Sequence, residues 1–284
     1  MKSVLITGAS TGIGQACALR LDRAGYRVFA GVRRAEDADR LRTGASSRLI
    51  PVFIDVADAS SIAAARAEVT RVLEGGGLDA LVNNAGIAVA GPLELLPIDA
   101  LRNQFEINVI GQVAVTQAFL PLVRRAAGRV VLMGSIGGRM STPFLAPYCA
   151  SKFALEAIAD ALRVELAPWN IHVAIVEPGS IATPIWSKSE SAADRLQSQF
   201  PTIEGADYTA ALAAMREAAA ATGRRGEPAS LVADAVMHAI EARSPKTRYM
   251  VGRDARLRGW LVRFVPDRLR DRLIRRALRL PAAP

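Results

Sequence analysis

Tyr148 and Lys152 stand four residues apart in Tyr148-Cys149-Ala150-Ser151-Lys152, and Ser135 lies thirteen residues before the tyrosine. On a helix, positions i and i+4 share a face, so a phenol and an ammonium at this spacing border one cavity. A free phenol has a pKa of about 10 and is a poor base at neutral pH. A cation held beside it favours the phenolate and lowers that pKa. A tyrosine tuned in this way exchanges a proton with an alcohol or a carbonyl oxygen. Tyr-x-x-x-Lys also arises by chance on many helices, so the surrounding elements decide its meaning.

A second chemical feature opens the chain. Val4-Leu5-Ile6 is a short apolar run that reads as a buried strand. It leads into Thr7-Gly8-Ala9-Ser10-Thr11-Gly12-Ile13-Gly14, and an amphipathic stretch follows at 15–24. Strand, glycine turn and helix are the context a phosphate-binding loop needs. Glycines permit the tight turn and a close approach of backbone to a pyrophosphate, and the free amides of the helix N-terminus hold its charge.

The elements that must position these groups alternate along the chain. Strands are expected at about 3–7, 27–32, 49–54, 78–82, 129–133, 171–176 and 246–251. Helices are expected at about 12–24, 36–43, 59–74, 99–125, 147–168 and 228–242. The strands are apolar without alternation, as when helices cover both faces. The pattern predicts an α/β fold, a doubly wound parallel sheet of Rossmann-like type in one domain over 1–252. Between 184 and 227 a polar, alanine-rich stretch is too long for a simple connection. We expect a helical lid there, because ligands bind beyond the C-terminal strand ends of such sheets.

The chain has 284 residues, enough for one large core, and no run of 18 or more apolar residues, so no membrane span is expected. The first strand begins at once, so no secretory signal is expected, and two cysteines build no disulfide framework. A reducing, cytoplasmic setting is expected. His172 and His238 lack partners at ligand spacing, so no metal is expected. Of the net charge of +9, a surplus of seven lies between Arg253 and Arg279, which hold ten arginines and three aspartates. No nucleic-acid module or interleaved aromatics accompany that charge, so nucleic acid is not an expected partner. The extension 253–284 is instead amphipathic, with Leu257, Trp260, Leu261 and Phe264 at helical spacing, then Leu269, Leu273 and Ile274 beyond Pro266. Two readings stay open for it: packing on the domain or a second subunit, and peripheral contact with an anionic membrane surface.

Taken in order, Thr7-Gly-x-x-x-Gly12-x-Gly14, Asp55-Val56, Asn83-Asn84-Ala85-Gly86, Asn108, Ser135, Tyr148-x-x-x-Lys152 and Pro178-Gly179 with Thr183 resemble the short-chain dehydrogenase/reductase family in its short single-domain branch. The likeness covers about 2–185 and extends to about 252. It implies a catalytic set of Asn108, Ser135, Tyr148 and Lys152. Tyr148 would serve as general acid/base, and Lys152 would lower its pKa and hold the nicotinamide ribose. Ser135 would donate a hydrogen bond to the substrate oxygen. Asn108, a poor residue for a helix interior, would kink its helix and hold a water linking Lys152 to solvent.

The same likeness places a dinucleotide on Gly8, Ser10, Thr11, Gly12, Ile13 and Gly14. Asp55 and Val56 would flank the adenine, and Asn84, Ala85 and Gly86 would line the nucleotide. Tyr148 and Lys152 would reach its ribose; Pro178, Gly179, Ile181 and Thr183 would hold the carboxamide. Family members that prefer NAD carry an acid at the end of the second strand, where this chain has Arg33 and Arg34. Two guanidiniums there suit a 2′-phosphate, so NADP is expected ahead of NAD. Many NADP members also carry a basic residue in the glycine loop, where this chain has Thr11. The expected activity interconverts a lipophilic secondary alcohol and its ketone. Ile87, Ala88, Arg139, Met140, Phe144 and Trp186 are the candidate substrate contacts. The alternatives are an NAD-dependent alcohol dehydrogenase and a non-catalytic nucleotide sensor. By the family's habit, subunits pair through the two long helices into a homodimer or homotetramer.

Overall fold

The computed structural model describes residues 1–198, 200 and 208–277. Its strands are β1 (Ser3–Ile6), β2 (Arg27–Val32), β3 (Leu49–Phe53), β4 (Ala80–Asn83), β5 (Arg129–Met133), β6 (His172–Pro178) and β7 (Arg248–Val251). All are parallel in one sheet, ordered β3-β2-β1-β4-β5-β6-β7. The fold is the doubly wound, Rossmann-like one expected from the alternating pattern.

Helices α1 (Gly12–Arg23), α2 (Ala35–Thr43), α3 (Ala59–Leu73), α4 (Ile98–Phe105), α5 (Gly111–Arg125) and α6 (Ala146–Glu165) follow in turn. Local chemistry sets their starts: Asp58 caps α3 by accepting from Ser60 N at 2.8 Å, and Pro147 occupies the first turn of α6. Helices lie on both faces, so the central strands β1, β4 and β5 are buried on both sides. Val4 and Ile6 of β1 enter one core with Val28 and Ala30, while Leu5 enters the other with Phe29. Strand order reverses between β1 and β4, and a crevice opens beyond their C-terminal ends.

One π turn, Glu106–Ile110, joins α4 to α5. The combined helix Ile98–Arg125 is long and apolar enough, by length and composition, to cross a membrane. Its buried polar side chains explain its place in the core instead. Gln104, Asn108, Gln112 and Thr116 bond inward to Ile87, Val89, Ala85 and Asn83.

The stretch 184–227 carries α7 (Ile185–Gln197) and α8 (Thr209–Arg225). Its residues 199 and 201–207 lie outside the described residues. Its two ends meet: Ala182 N donates to Glu227 O and Glu227 N to Ser180 O, both at 2.9 Å. Arg216 joins α8 to Asp194 and Gln197 of α7, each at 2.6 Å. Then α9 (Ala229–Glu241) returns to pack on the α1 face.

The extension forms α10 (Arg253–Phe264) and α11 (Asp267–Ala277), split at Pro266; 278–284 lie outside the described residues. Asp254 bolts α10 to the end of β6. Its carboxylate accepts from Ser180 N at 2.8 Å and Ser180 Oγ at 2.7 Å.

Candidate active site

The glycine turn between β1 and α1 is built around Thr7. Its hydroxyl accepts from the backbone amides of Asn84 and Ala85, each at 3.0 Å. Asn84 Nδ2 donates back to Thr7 O at 2.9 Å and Gly8 O at 3.1 Å. Asn84 therefore stitches the turn to the end of β4, and its amide is already spent on protein. Gly8 and Gly12 have φ of +65° and +60°, the left-handed region that favours glycine. A methyl group on Gly14 would collide with the Gly8 carbonyl oxygen and stand 2.5 Å from Asn84 Nδ2. The result is a bare-backbone cradle at a helix N-terminus.

The cradle is one end of a cavity of about 620 Å³. Gly8, Ser10, Thr11, Gly12, Ile13, Gly14, Arg33, Arg34, Asp55, Val56, Asn84, Ala85, Gly86, Pro178, Gly179, Ile181 and Thr183 all line it. Ser135, Tyr148 and Lys152 line the same cavity; Asn108 does not. The Asn108 side chain is buried behind the wall. Its Oδ1 accepts from Ile87 N at 2.8 Å, and its Nδ2 donates to Ile87 O at 3.0 Å and Ser151 Oγ at 3.1 Å. The expected disturbance of its helix is there, as the π turn. The side chain serves as a brace between α6 and the loop after β4.

At the other end of the cavity, Lys152 is buried on α6 and donates one of its three protons to Met133 O at 2.7 Å. Its Nζ lies 5.7 Å from the centre of the Tyr148 ring. Ser135 caps a turn of 3₁₀ helix, its Oγ accepting from Gly137 N at 3.0 Å. Burial pushes the Tyr148 phenol up to about 12; a hydrogen bond with Ser135 pulls the other way. Burial pushes Lys152 down to about 8. This corrects the expectation of a phenol acidified by its ammonium neighbour. The ammonium is turned onto a carbonyl, and burial is the largest cause of both shifts.

At the far end, Arg33 Nη1 stands 3.9 Å from Asp55 Oδ2 and Arg34 Nε 3.4 Å from Asp37 Oδ2. Both arginine side chains are largely exposed, at 66% and 73%. Asp37 is nearly buried and also pairs with Arg40, whose Nη2 reaches Ser10 O at 3.3 Å. Sequence reasoning missed Asp37 and Arg40. The available signal was their i, i+3 spacing on α2, three and six residues beyond Arg34. Of the candidate substrate contacts, Ile87 and Trp186 line the main cavity. Phe144 and Trp186 border a smaller one of about 70 Å³ beneath α7 and α8. Arg139 is turned away onto buried Glu177. The Ala88 carbonyl accepts from Ser189 of α7 at 2.9 Å.

The family described as short chain dehydrogenase matches residues 2–194. The chain belongs to that family. It is an oxidoreductase acting on CH–OH groups. The dehydrogenase is 34% identical, over 98% of both chains, to an NADPH-dependent 3-dehydrocapnine reductase of Ornithobacterium rhinotracheale. It is 37% identical to retinol dehydrogenase 16 of Mus musculus, over 96% of this chain and 87% of that one. Among solved structures, it resembles a short-chain dehydrogenase from Streptomyces avermitilis at TM-score 0.76 and 30% identity, covering 96% and 94% of the two chains. It also resembles a short chain dehydrogenase from Burkholderia cenocepacia in complex with NADP, at TM-score 0.73 and 25% identity, covering 96% and 99%.

Proposed function

We propose that this dehydrogenase is NADP(H)-preferring and interconverts a lipophilic secondary alcohol and its ketone. The observation that carries the reading is a single cavity with Ser135, Tyr148 and Lys152 at one end and the glycine cradle with Arg33 and Arg34 at the other. A dinucleotide suits this donor set: bare amides at the cradle, two guanidiniums at one end, and an ammonium with two protons to spare at the other. When bound, NADP(H) supplies or accepts the hydride. Tyr148 holds its proton at neutral pH and is poised as an acid toward a carbonyl oxygen. Ser135 bonds the same oxygen as negative charge develops on it. Lys152 orients the ribose and replaces the proton that Tyr148 gives up. The reductase and NADP-bound relatives support the cofactor. The apolar faces of Ile87, Phe144 and Trp186, together with the retinol dehydrogenase likeness, support a lipophilic substrate. The stretch 184–227 is its lid.

The cofactor assignment is tested by Arg33→Ala. NADP affinity should fall about tenfold to a hundredfold while NAD affinity holds, since one charge-assisted contact is lost. Titration calorimetry with both nucleotides reads this. An unchanged NADP/NAD ratio would remove Arg33 from the 2′-phosphate.

We infer that the extension is a peripheral anchor on an anionic membrane surface, for an otherwise cytoplasmic enzyme. Leu257, Trp260 and Phe264 of α10 are 60%, 56% and 60% exposed, and Leu269 and Leu273 of α11 are 48% and 44% exposed. Arginines accompany them along both helices, the pairing an acidic lipid surface attracts. Trp260→Ser with Phe264→Ser should cut sedimentation with phosphatidylserine vesicles several-fold; equal sedimentation of both proteins would return the extension to a packing role. Exposed Ile110 and Phe153, on the two long helices, support subunit pairing there.

A further inference from the structure

A buried ionic cluster lies behind the wall of the cavity. Glu177 is the residue before Pro178 on β6 and is fully buried. Glu156 lies on α6, one turn after Lys152, with its side chain 13% exposed. The two carboxyl groups converge on one guanidinium nitrogen, Arg248 Nε, which stands 3.0 Å from Glu156 Oε2 and 3.9 Å from Glu177 Oε1. Arg139, at the end of the turn that starts at Ser135, pairs with Glu177. Arg248 of β7 divides its guanidinium: Nε to Glu156 at 3.0 Å, Nη2 to Asp160 at 2.7 Å, with Glu177 at 3.9 Å. Asp160 is further shared with Arg163 at 2.6 Å, on the exposed side of the helix. Lys152 points the other way, to Met133 O.

One pair of atoms in this cluster does not balance. Glu156 Oε1 and Glu177 Oε2 are both buried and, among the described residues, have no cationic or amide donor. Two ionised carboxylates cannot satisfy each other, because each is acceptor-only. Like charges in a dry site repel, and each orphan oxygen adds its own desolvation cost. A single proton removes all three penalties at once, turning one oxygen into a donor for the other.

We propose that Glu156 and Glu177 share one proton, and that this acid–carboxylate bond clamps α6 to β6 beside Lys152 and Pro178. With the proton in place, Arg139 anchors the Ser135 turn to a carboxylate that α6 itself holds still. Loss of the proton sets two buried anions against each other at the back of the cavity. The two glutamates are positioning residues and touch no reactant.

Burial and the neighbouring Glu177 hold Glu156 up at about 8, from an ordinary 4.5. The folded protein thus keeps a proton that the unfolded chain has released. Stability from this pair is present below about 4.5 and is lost as pH rises through about 8. Glu156→Gln supplies a permanent neutral donor. Its melting temperature relative to the wild type should therefore rise between pH 6 and pH 9, by roughly 5 °C. Glu156→Ala, which leaves Glu177 Oε2 orphaned, should melt below Glu156→Gln at each pH. A second readout needs no variant: the infrared difference spectrum between pH 6 and pH 9 should show a protonated-carboxyl stretch that disappears at the higher pH. A pH-independent offset between Glu156→Gln and wild type, or no such band, would overturn the shared proton. Both measurements use the nucleotide-free protein, so they fail or succeed apart from the proposed activity.

Discussion

Tyr148→Phe should lower turnover by about 10²- to 10⁴-fold, the range of a lost general acid, while nucleotide affinity stays nearly unchanged. The substitution removes one hydroxyl from the cavity wall and keeps the ring. The hydroxyl's protein partner is Ser135, whose Oγ retains its bond from Gly137 N, so the turn should survive. Steady-state rates with a ketone and NADPH, beside calorimetric nucleotide binding, separate the two effects. A Phe variant with a tenth or more of wild-type turnover would strip Tyr148 of its role. The pH profile adds a constraint. In the free enzyme the phenol titrates near 12 and stays protonated over any working range. In the cavity wall the group that changes charge nearest neutrality is Lys152, at about 8, and Glu156 behind the wall titrates at about the same pH. The alkaline limb of kcat/KM reports free-enzyme groups, so it should fall near pH 8 as the ammonium is lost, far below the phenol's own titration.

Gly14→Ala should be the most damaging single methyl in the cradle. The added carbon meets the Gly8 carbonyl and the Asn84 amide, and neither can retreat. The Asn84 amide is held by Thr7 O and Gly8 O, and the Asn84 and Ala85 backbone amides by the Thr7 hydroxyl. Overpacking of this kind costs about 1–3 kcal/mol, which is a fall of roughly 2–12 °C in melting temperature at this chain length. Nucleotide binding should be lost with it, since the turn must shift to admit the methyl. Gly25→Ala is the control. Its φ of +86° makes it strained for alanine, but nothing lies within 4 Å of the new carbon. It should lose about 1–2 kcal/mol with nucleotide affinity intact. Equal nucleotide binding by Gly14→Ala and wild type would mean that the cradle does not hold the phosphates.

Sequence alone determined what depends on near neighbours. The seven strands announce themselves as apolar runs because both sheet faces are covered, so no alternation confuses them. The glycine turn is legible because a strand, three glycines and a helix lie within a dozen residues. Tyr148 and Lys152 share a face because a helix turns once in about four residues. The break in the extension follows from Pro266, which has no amide for the helix to continue.

Tertiary structure decided what depends on distant partners and on exclusion of water. Asp254 holds Ser180 across 74 positions, and no local pattern marks either residue. Asn84 lines the cavity and also knots the turn, through bonds that run to Thr7 and Gly8, over 70 residues earlier. The Asn108 side chain braces Ile87 and Ser151, 21 and 43 positions away, which no local pattern marks. The orphan oxygens of Glu156 and Glu177 lie on separate elements and become a problem only once both are dry. The Tyr148 phenol is the clearest case. Spacing brings a cation near it and argues for a lower pKa, yet the folded chain removes the water around both groups and raises it. Charge stabilisation by solvent is a property of the packed whole, and a string of residues carries no record of it.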